Sequence, residues 1–308
     1  MSGLPYLDGE TLRRLVPMAR AVQVLEDALR AGLDPEDTPQ RPIVEVPAGQ
    51  LLLMPAAWGR HAGIKIAGVA PDNPSRGLPR IQGTYLLMDG ETLTPLAALD
   101  GIALTSLRTP AVSALAVRHL AEPGASTMAV FGTGPQAWGH VEAFRAVRPV
   151  RRVSVIARDP EKAEAFAARC AAEGLQADTE LDLGQADLVA CCTTSRIPLF
   201  DGTLTRNDAT VVAVGSHEPD AREIDDDLIA RATVVVEARS AALAEAGDLI
   251  IPLRSGKITN GHLAGNLGEL VAGVVPRAPG PRVFKSVGMA WEDLVVAAAA
   301  YEMWMRAR

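Results

Sequence analysis

Between Met128 and Phe144 the chain reads MAVFGTGPQAWGHVEAF: an apolar run of strand length, a turn holding Gly132, Gly134 and the small Ala137, and then residues at helical spacing. No other feature of the 308 residues constrains the fold as tightly. A buried strand that turns at once into a helix opens a parallel sheet, because the helix must cross over before the next strand can run the same way. RVSVIA, DLVACCT, TVVAVG and TVVVEA repeat the strand-like texture, with amphipathic segments between the early ones. The expected fold over residues 113–288 is therefore α/β, a Rossmann-type doubly wound parallel sheet. Within the turn, Gly132 is expected at the sharp bend and Gly134 where backbone approaches a diphosphate. Ala137 would seat the helix against the sheet, and Thr133, Pro135 and Gln136 complete a helix start whose N–H groups face the anion.

The end of the second strand bears on the ribose. An acid there accepts the 2′-hydroxyl of NAD, but the chain has Ala157 and Arg158, which suit a 2′-phosphate. Asp159 before Pro160 reads as a helix N-cap instead. NADP is the expected cofactor, with NAD the alternative. Thr193, Thr194 and Ser195 after the third strand, and Val214 and Gly215 after the fourth, lie where hydroxyls and backbone meet the ribose and nicotinamide.

The rest of the chain has a different texture. A helix is expected over 12–30, followed by short Val, Ile and Leu runs between Pro and Gly, with a hairpin at DGE, which together suggest a mostly antiparallel sheet. RTPAVSALAVRHLAEPG reads as a helix, and the boundary falls near 112. The segment SVGMAWEDLVVAAAAYEMWMRAR is a helix too apolar to stand in water, expected to pack on the first domain or on a second subunit. Two domains are expected: 1–112 completed by 289–308, and 113–288. A net charge of −7 without a basic run excludes nucleic acid and anionic membrane as partners. The first residues contain no long apolar run, so neither a signal peptide nor a membrane span is expected, and the location is read as cytoplasmic. Cys170, Cys191 and Cys192 lack metal or redox spacing, as do the histidines, and no metal is expected.

GTGPQA, LDGIALTSLRTPAVSALAVRHLA, the lysine of GIKI, VGSHEPDAREID and FKSVGMAWEDL together resemble the ornithine cyclodeaminase and mu-crystallin family, from about Arg41 to the C-terminal helix. The resemblance implies a homodimer. Its first domain, of α+β type and joined by the last helix, would bind substrate and form the subunit interface, while the middle of the chain binds NAD(P). Family activities involve a C–N carbon alpha to a carboxylate: cyclodeamination of ornithine or lysine, alanine dehydrogenation, and reduction of cyclic ketimines such as pyrroline-2-carboxylate.

Such chemistry needs a carboxylate clamp and a proton donor. Arg41 and Arg108 are the clamp candidates, since a guanidinium grips a carboxylate through parallel hydrogen bonds, and both match substrate-binding arginines of the family. Lys65 lies in an apolar strand, where a charge is costly unless used. By resemblance it reaches the substrate carboxylate or imine nitrogen, and Met54 lines the pocket. Thr109, next to Arg108, is assigned to the cofactor, as are Ser286, Val287 and Gly288 of KSVG. His217 stands where a cyclodeaminase has aspartate and is a candidate proton donor. Asp220 and Arg222 are expected to brace its loop. The reading is an NAD(P)H-dependent ketimine carboxylate reductase acting on a small imino or amino acid. Its alternatives are a cyclodeaminase, an alanine-type dehydrogenase, or a non-catalytic NADPH-binding protein of crystallin type.

Overall fold

Proline and aspartate punctuate the start of the chain. The computed structural model describes residues 3–308. Strand β1 (Tyr6–Leu7) leads to helix α1 (Gly9–Leu15), capped by Asp8, whose carboxylate accepts Thr11 N–H at 2.8 Å. Pro17 lacks an N–H, so the single helix expected over 12–30 is in fact two, and α2 (Met18–Arg30) begins anew after the proline. Strands β2 (Ile43–Val46), β3 (Gly49–Trp58), β4 (His61–Val69), β5 (Ile81–Asp89) and β6 (Pro95–Asp100) follow. They form a six-stranded sheet in the order β1-β6-β5-β4-β3-β2. Its pairs are antiparallel except β1 with β6.

Strand period decides which side chains this sheet hides. On β4 the inward positions are His61, Gly63, Lys65 and Ala67, while Ile66 points outward and is 45% exposed. The usual pattern is inverted: the lysine is inside and an isoleucine is outside. Tyr85 on β5 sits across from Lys65 and is fully buried, and its ring reaches over Gly63.

Asp100 caps helix α3 (Gly101–Leu120), its Oδ1 accepting Ile102 N–H at 2.9 Å and Ala103 N–H at 3.0 Å. The helix therefore starts well before RTPA, where the sequence suggested, and carries Pro110 inside it. Thr105, Arg108 and Thr109 consequently share one helix.

Next comes the parallel sheet: β7 (Thr127–Phe131), α4 (Pro135–Val147), β8 (Arg152–Ile156), α5 (Pro160–Ala172), β9 (Gln176–Asp178), β10 (Leu188–Cys191), β11 (Thr210–Ala213), α6 (Asp226–Arg231), β12 (Thr233–Val236), α7 (Arg239–Glu245), α8 (Gly247–Arg254), β13 (Leu263–Asn266), α9 (Leu267–Val271) and β14 (Arg282–Lys285). The eight strands lie in the order β13-β12-β14-β11-β10-β7-β8-β9, all parallel. Strand order reverses between β7 and β10, and ligands of such sheets bind outside the strand ends at that point. Every residue of β10, β11 and β12 is buried. Helix α4 is tied down by His140, fully buried, whose ring nitrogens lie 2.7 Å from Gln136 O and 2.8 Å from Ser113 Oγ. A carbonyl only accepts, so Nδ1 carries the proton and Nε2 accepts from the serine. Burial lowers this imidazole to about 4, so it stays neutral.

Helix α10 (Ala290–Arg306) then packs on β3, β4, β5 and α2. By contact the chain divides into two units, one running to Val112 and resuming at Met289, the other Ser113–Gly288. Among the described residues no helix is long and apolar enough to cross a membrane.

A β-carbon at Gly63 would lie 2.3 Å from the Tyr85 hydroxyl. Gly63→Ala is expected to lower stability by about 1–3 kcal/mol through overpacking. The check is thermal melting, and an unchanged midpoint would show that the tyrosine gives way freely.

Candidate active site

In the second unit the glycine turn has the features of an anion cradle. Gly132 has φ +108°, open to glycine but strained for other residues, and a β-carbon there would meet Cys192 O at 2.7 Å. Gly134 is the N-cap of α4, with no capping side chain and nothing within 4 Å of where a β-carbon would stand. The first N–H groups of a 13-residue helix thus have no capping side chain. Gln136 Oε1 is buried without a partner beside them, and Ala137 is fully buried. Gly132, the uncapped helix start at Gly134 and the buried Ala137 fit a dinucleotide diphosphate. At the end of β8, Ala157 is half-buried and Arg158 exposed, while Asp159 caps α5 by accepting Lys162 N–H at 3.3 Å.

Buried acids hold the loops beyond the strand ends. Glu223, fully buried, accepts Thr193 N–H and Oγ1–H at 2.7 Å through one oxygen and Gly215 N–H at 2.7 Å through the other. It staples the loop after β10 to the loop after β11. Asp248 Oδ1 accepts the N–H groups of Glu223 and Ile224 at 2.7 and 3.0 Å. Its Oδ2 lies 2.8 Å from Lys285 Nζ, an ionic contact without hydrogen-bond alignment, since the lysine donates to Ser216 O at 2.6 Å. Burial raises the Glu223 carboxyl, and Lys285 opposes that shift. Glu237 does the same work for KSVG, accepting Ser286 Oγ–H at 2.6 Å, Val287 N–H at 2.8 Å and Gly288 N–H at 2.9 Å. Val214 N–H binds Cys191 O at 3.0 Å, Ser195 N–H binds Thr193 Oγ1 at 3.1 Å, and Thr194 is exposed. His217 is exposed on the loop after β11. The bracing expected of Asp220 and Arg222 falls to Glu223 instead: Asp220 pairs with Arg196 at 2.6 Å on the surface, and Arg222 with Asp226 one turn on. An internal carboxylate reaches several backbone donors, which a surface pair cannot.

The first unit holds a cluster of buried charges. Lys65, 3% exposed, donates from Nζ to Asp293 Oδ2 at 2.7 Å and to Thr105 Oγ1 at 3.1 Å. Thr105 spends its own proton on Gly101 O at 2.8 Å, so its oxygen is the acceptor. Arg108, 4% exposed, donates from Nε to Asp293 Oδ1 at 3.2 Å and from Nη1 to Glu292 Oε2 at 2.5 Å. Both acids are fully buried on α10. Burial, with Arg108 close by, lowers the Lys65 ammonium to about 8, against the pull of Asp293. Met54 is buried directly across the β3–β4 ladder from Lys65. Thr109 is buried beside Arg108 on α3, and Arg41 stands half-buried in the segment entering β2. Sequence reasoning selected the two cations and missed their counter-ions. The signal was present in AWEDL, two acids in the first turn of an otherwise apolar helix. Among the described residues no group of His, Cys, Asp and Glu is arranged to hold a metal.

The reversed strand order, the all-parallel sheet and the glycine turn define an α/β protein of the doubly wound, Rossmann type. The chain belongs to the ornithine cyclodeaminase/mu-crystallin family, whose model matches residues 10–308. It is 37% identical over 262 residues to a Delta(1)-pyrroline-2-carboxylate reductase of Bacillus cereus, covering 82% of this chain and 80% of that protein. It is 33% identical over 272 residues to the ketimine reductase mu-crystallin of Rattus norvegicus, covering 86% and 85%. A Delta(1)-pyrroline-2-carboxylate reductase of Thermococcus litoralis, solved with NADH and L-proline, superposes with TM-score 0.92 at 30% identity, covering 99% and 98%.

Glu223→Ala strands buried donors on two loops, at about 1–3 kcal/mol for each one left without a partner. Its melting temperature is expected to fall by about 2–4 °C per kcal/mol lost, with Glu223→Gln falling less. Equal midpoints for wild type and Glu223→Ala would show that the staple carries no load.

Proposed function

We propose that the protein reduces a cyclic ketimine carboxylate, of pyrroline-2-carboxylate or piperideine-2-carboxylate type, to the cyclic amino acid, using NADPH in preference to NADH. One observation carries the reading: a buried ammonium and a buried guanidinium held together by one shared carboxylate, Asp293, with a threonine oxygen fixing the lysine. Names of relatives support the reaction class. When bound along residues 132–137, with Ala157, Arg158, residues 193–195, 214–215 and 286–288 around it, the reduced nicotinamide supplies the hydride.

The chain's own residues prepare the acceptor. Arg108, with Arg41, grips the substrate carboxylate and fixes the ring's orientation. Lys65 keeps the imine nitrogen protonated, and the carbon of an iminium accepts hydride more readily than that of a neutral imine. As the C–H bond forms, the C=N electron pair passes to nitrogen and neutralises the iminium, leaving the product amine. Met54 and the buried sheet face exclude water from the ring. His217, exposed on its loop, is kept as an auxiliary proton donor rather than the main one. We also read the chain as a homodimer, with outward Val44 and Ile66 of the first sheet as part of the apolar face to be covered, and as cytoplasmic, since its free thiols suit a reducing compartment.

Lysine chemistry sets the pH dependence. A neutral amine has two hydrogens, both already committed to Asp293 and Thr105, and only the ammonium has a third for substrate. The expected kcat/KM is level below pH 8 and falls as pH rises through about 8, where Lys65 loses its proton. A spectrophotometric screen of pyrroline and piperideine carboxylates and of keto acids with ammonia checks the reaction. In that assay Lys65→Met is expected to lose about 10²–10⁴-fold in kcat/KM with unchanged NADPH affinity. Full turnover in the variant would remove the lysine from the mechanism.

Arg158 carries the coenzyme preference. Arg158→Ala is expected to weaken NADPH about tenfold or more, the loss of one charge-assisted contact, and to leave NADH unchanged. Titration of both nucleotides by fluorescence decides, and equal effects would contradict a phosphate contact.

A further inference from the structure

Asp293 links the two cations that the proposed reaction needs, and it comes from an element distant in sequence. One carboxylate oxygen takes Lys65 Nζ at 2.7 Å and the other takes Arg108 Nε at 3.2 Å, all three groups being buried. We propose that Asp293 is a positioning residue of the reduction, acting on substrate only through Lys65 and Arg108: it holds the lysine charged and sets the plane of the guanidinium. The inference rests on the ketimine reductase reading for its chemistry, but its geometry stands without it.

Charge counting supports the role. Facing Lys65 are Arg108 from α3, Glu292 and Asp293 from α10, and the buried Tyr85 hydroxyl from β5, while the neighbour on β3 is the uncharged Met54. Thr105 contributes a neutral oxygen. Glu292 is spent on Arg108 Nη1. Asp293 is therefore the anion in direct contact with the ammonium, and without it Lys65 would share a dry site with a guanidinium that repels it. Loss of the proton would follow, and with it the third N–H that the imine requires. Arg108 depends on the same acid differently. Its Nε bond fixes rotation about the guanidinium stem, and a carboxylate clamp works only when its two parallel donors point at the substrate.

Asp293→Asn keeps the shape and one acceptor while removing the charge. Two readouts are taken on the full chain. The first follows the pH dependence of Lys65 acylation by acetic anhydride, read by mass spectrometry without nucleotide or substrate; the second is the pH profile of kcat/KM. The expected result is a fall of about one to three pH units in the Lys65 titration, with the alkaline limb of kcat/KM moving by the same amount and NADPH affinity unchanged. Asp293→Glu, which keeps the charge but moves it by one methylene, is expected to retain the position of the limb and to lower its plateau. That variant also decides should the asparagine protein fail to fold: a limb displaced as though the charge were gone would overturn the proposal. An unchanged Lys65 titration in Asp293→Asn would overturn it as well. If no ketimine is reduced by the wild-type chain, the functional reading fails, whereas the acylation titration still tests the link between Asp293 and Lys65.

Discussion

A single carboxylate shared between two buried cations is the constraint on which the first unit depends. Taking an ammonium and a guanidinium out of water costs several kcal/mol for each ion, and mutual attraction offsets it only where geometry is good and the remaining hydrogens are bonded. Asp293, Glu292 and Thr105 supply the geometry and leave one Lys65 hydrogen over. Such an arrangement is a poor way to gain stability, since apolar residues of similar volume would do as well or better. Its presence on a sheet face that could have been apolar is what the proposed reaction asks for, a carboxylate clamp beside a held proton.

The second unit solves a related problem with the same chemistry. Loops beyond the ends of parallel strands carry backbone N–H groups that no strand partner satisfies. Glu223, Asp248 and Glu237 take up those donors from beneath, each through short bonds. The loops are thereby fixed from the protein side. A preorganised loop loses less entropy on binding than one that must order itself.

What the amino-acid sequence revealed follows from how local each cause is. The turn at Gly132 and Gly134, strands β8, β10, β11 and β12 and the cap at Asp159 depend on residues a few positions apart, and these were legible. So was Lys65 as an anomaly in GIKIAG, because a charge within an apolar strand is costly unless paired or used. The break at Pro17 was a local signal passed over in favour of helical spacing, and the start of α3 was misplaced because Asp100, its cap, directly follows a run read as strand. β13 and β14 were not foreseen as strands, since LAGN and RVFK are short and lack flanking helical pattern. The partners of Lys65 and Arg108 were out of reach for another reason: they lie 228 and 185 residues away, and only tertiary packing brings an acid on an apolar helix face to those cations. Assigning bracing to Asp220 and Arg222 rather than Glu223 was the same failure at short range, since burial, not spacing, selects the residue that binds backbone.

Because α10 supplies both counter-ions, the unit that leaves the ribosome first is the one completed last. Until residue 293 has been synthesised, the inward face of β4 and the middle of α3 hold a lysine and an arginine with no anion to neutralise them, and apolar strands with no helix to cover them. The parallel sheet, contiguous in the chain, has no such delay and can assemble while its neighbour waits. Synthesis order and completion order thus run in opposite senses for the two units, since the first acquires its buried anions only with its last helix.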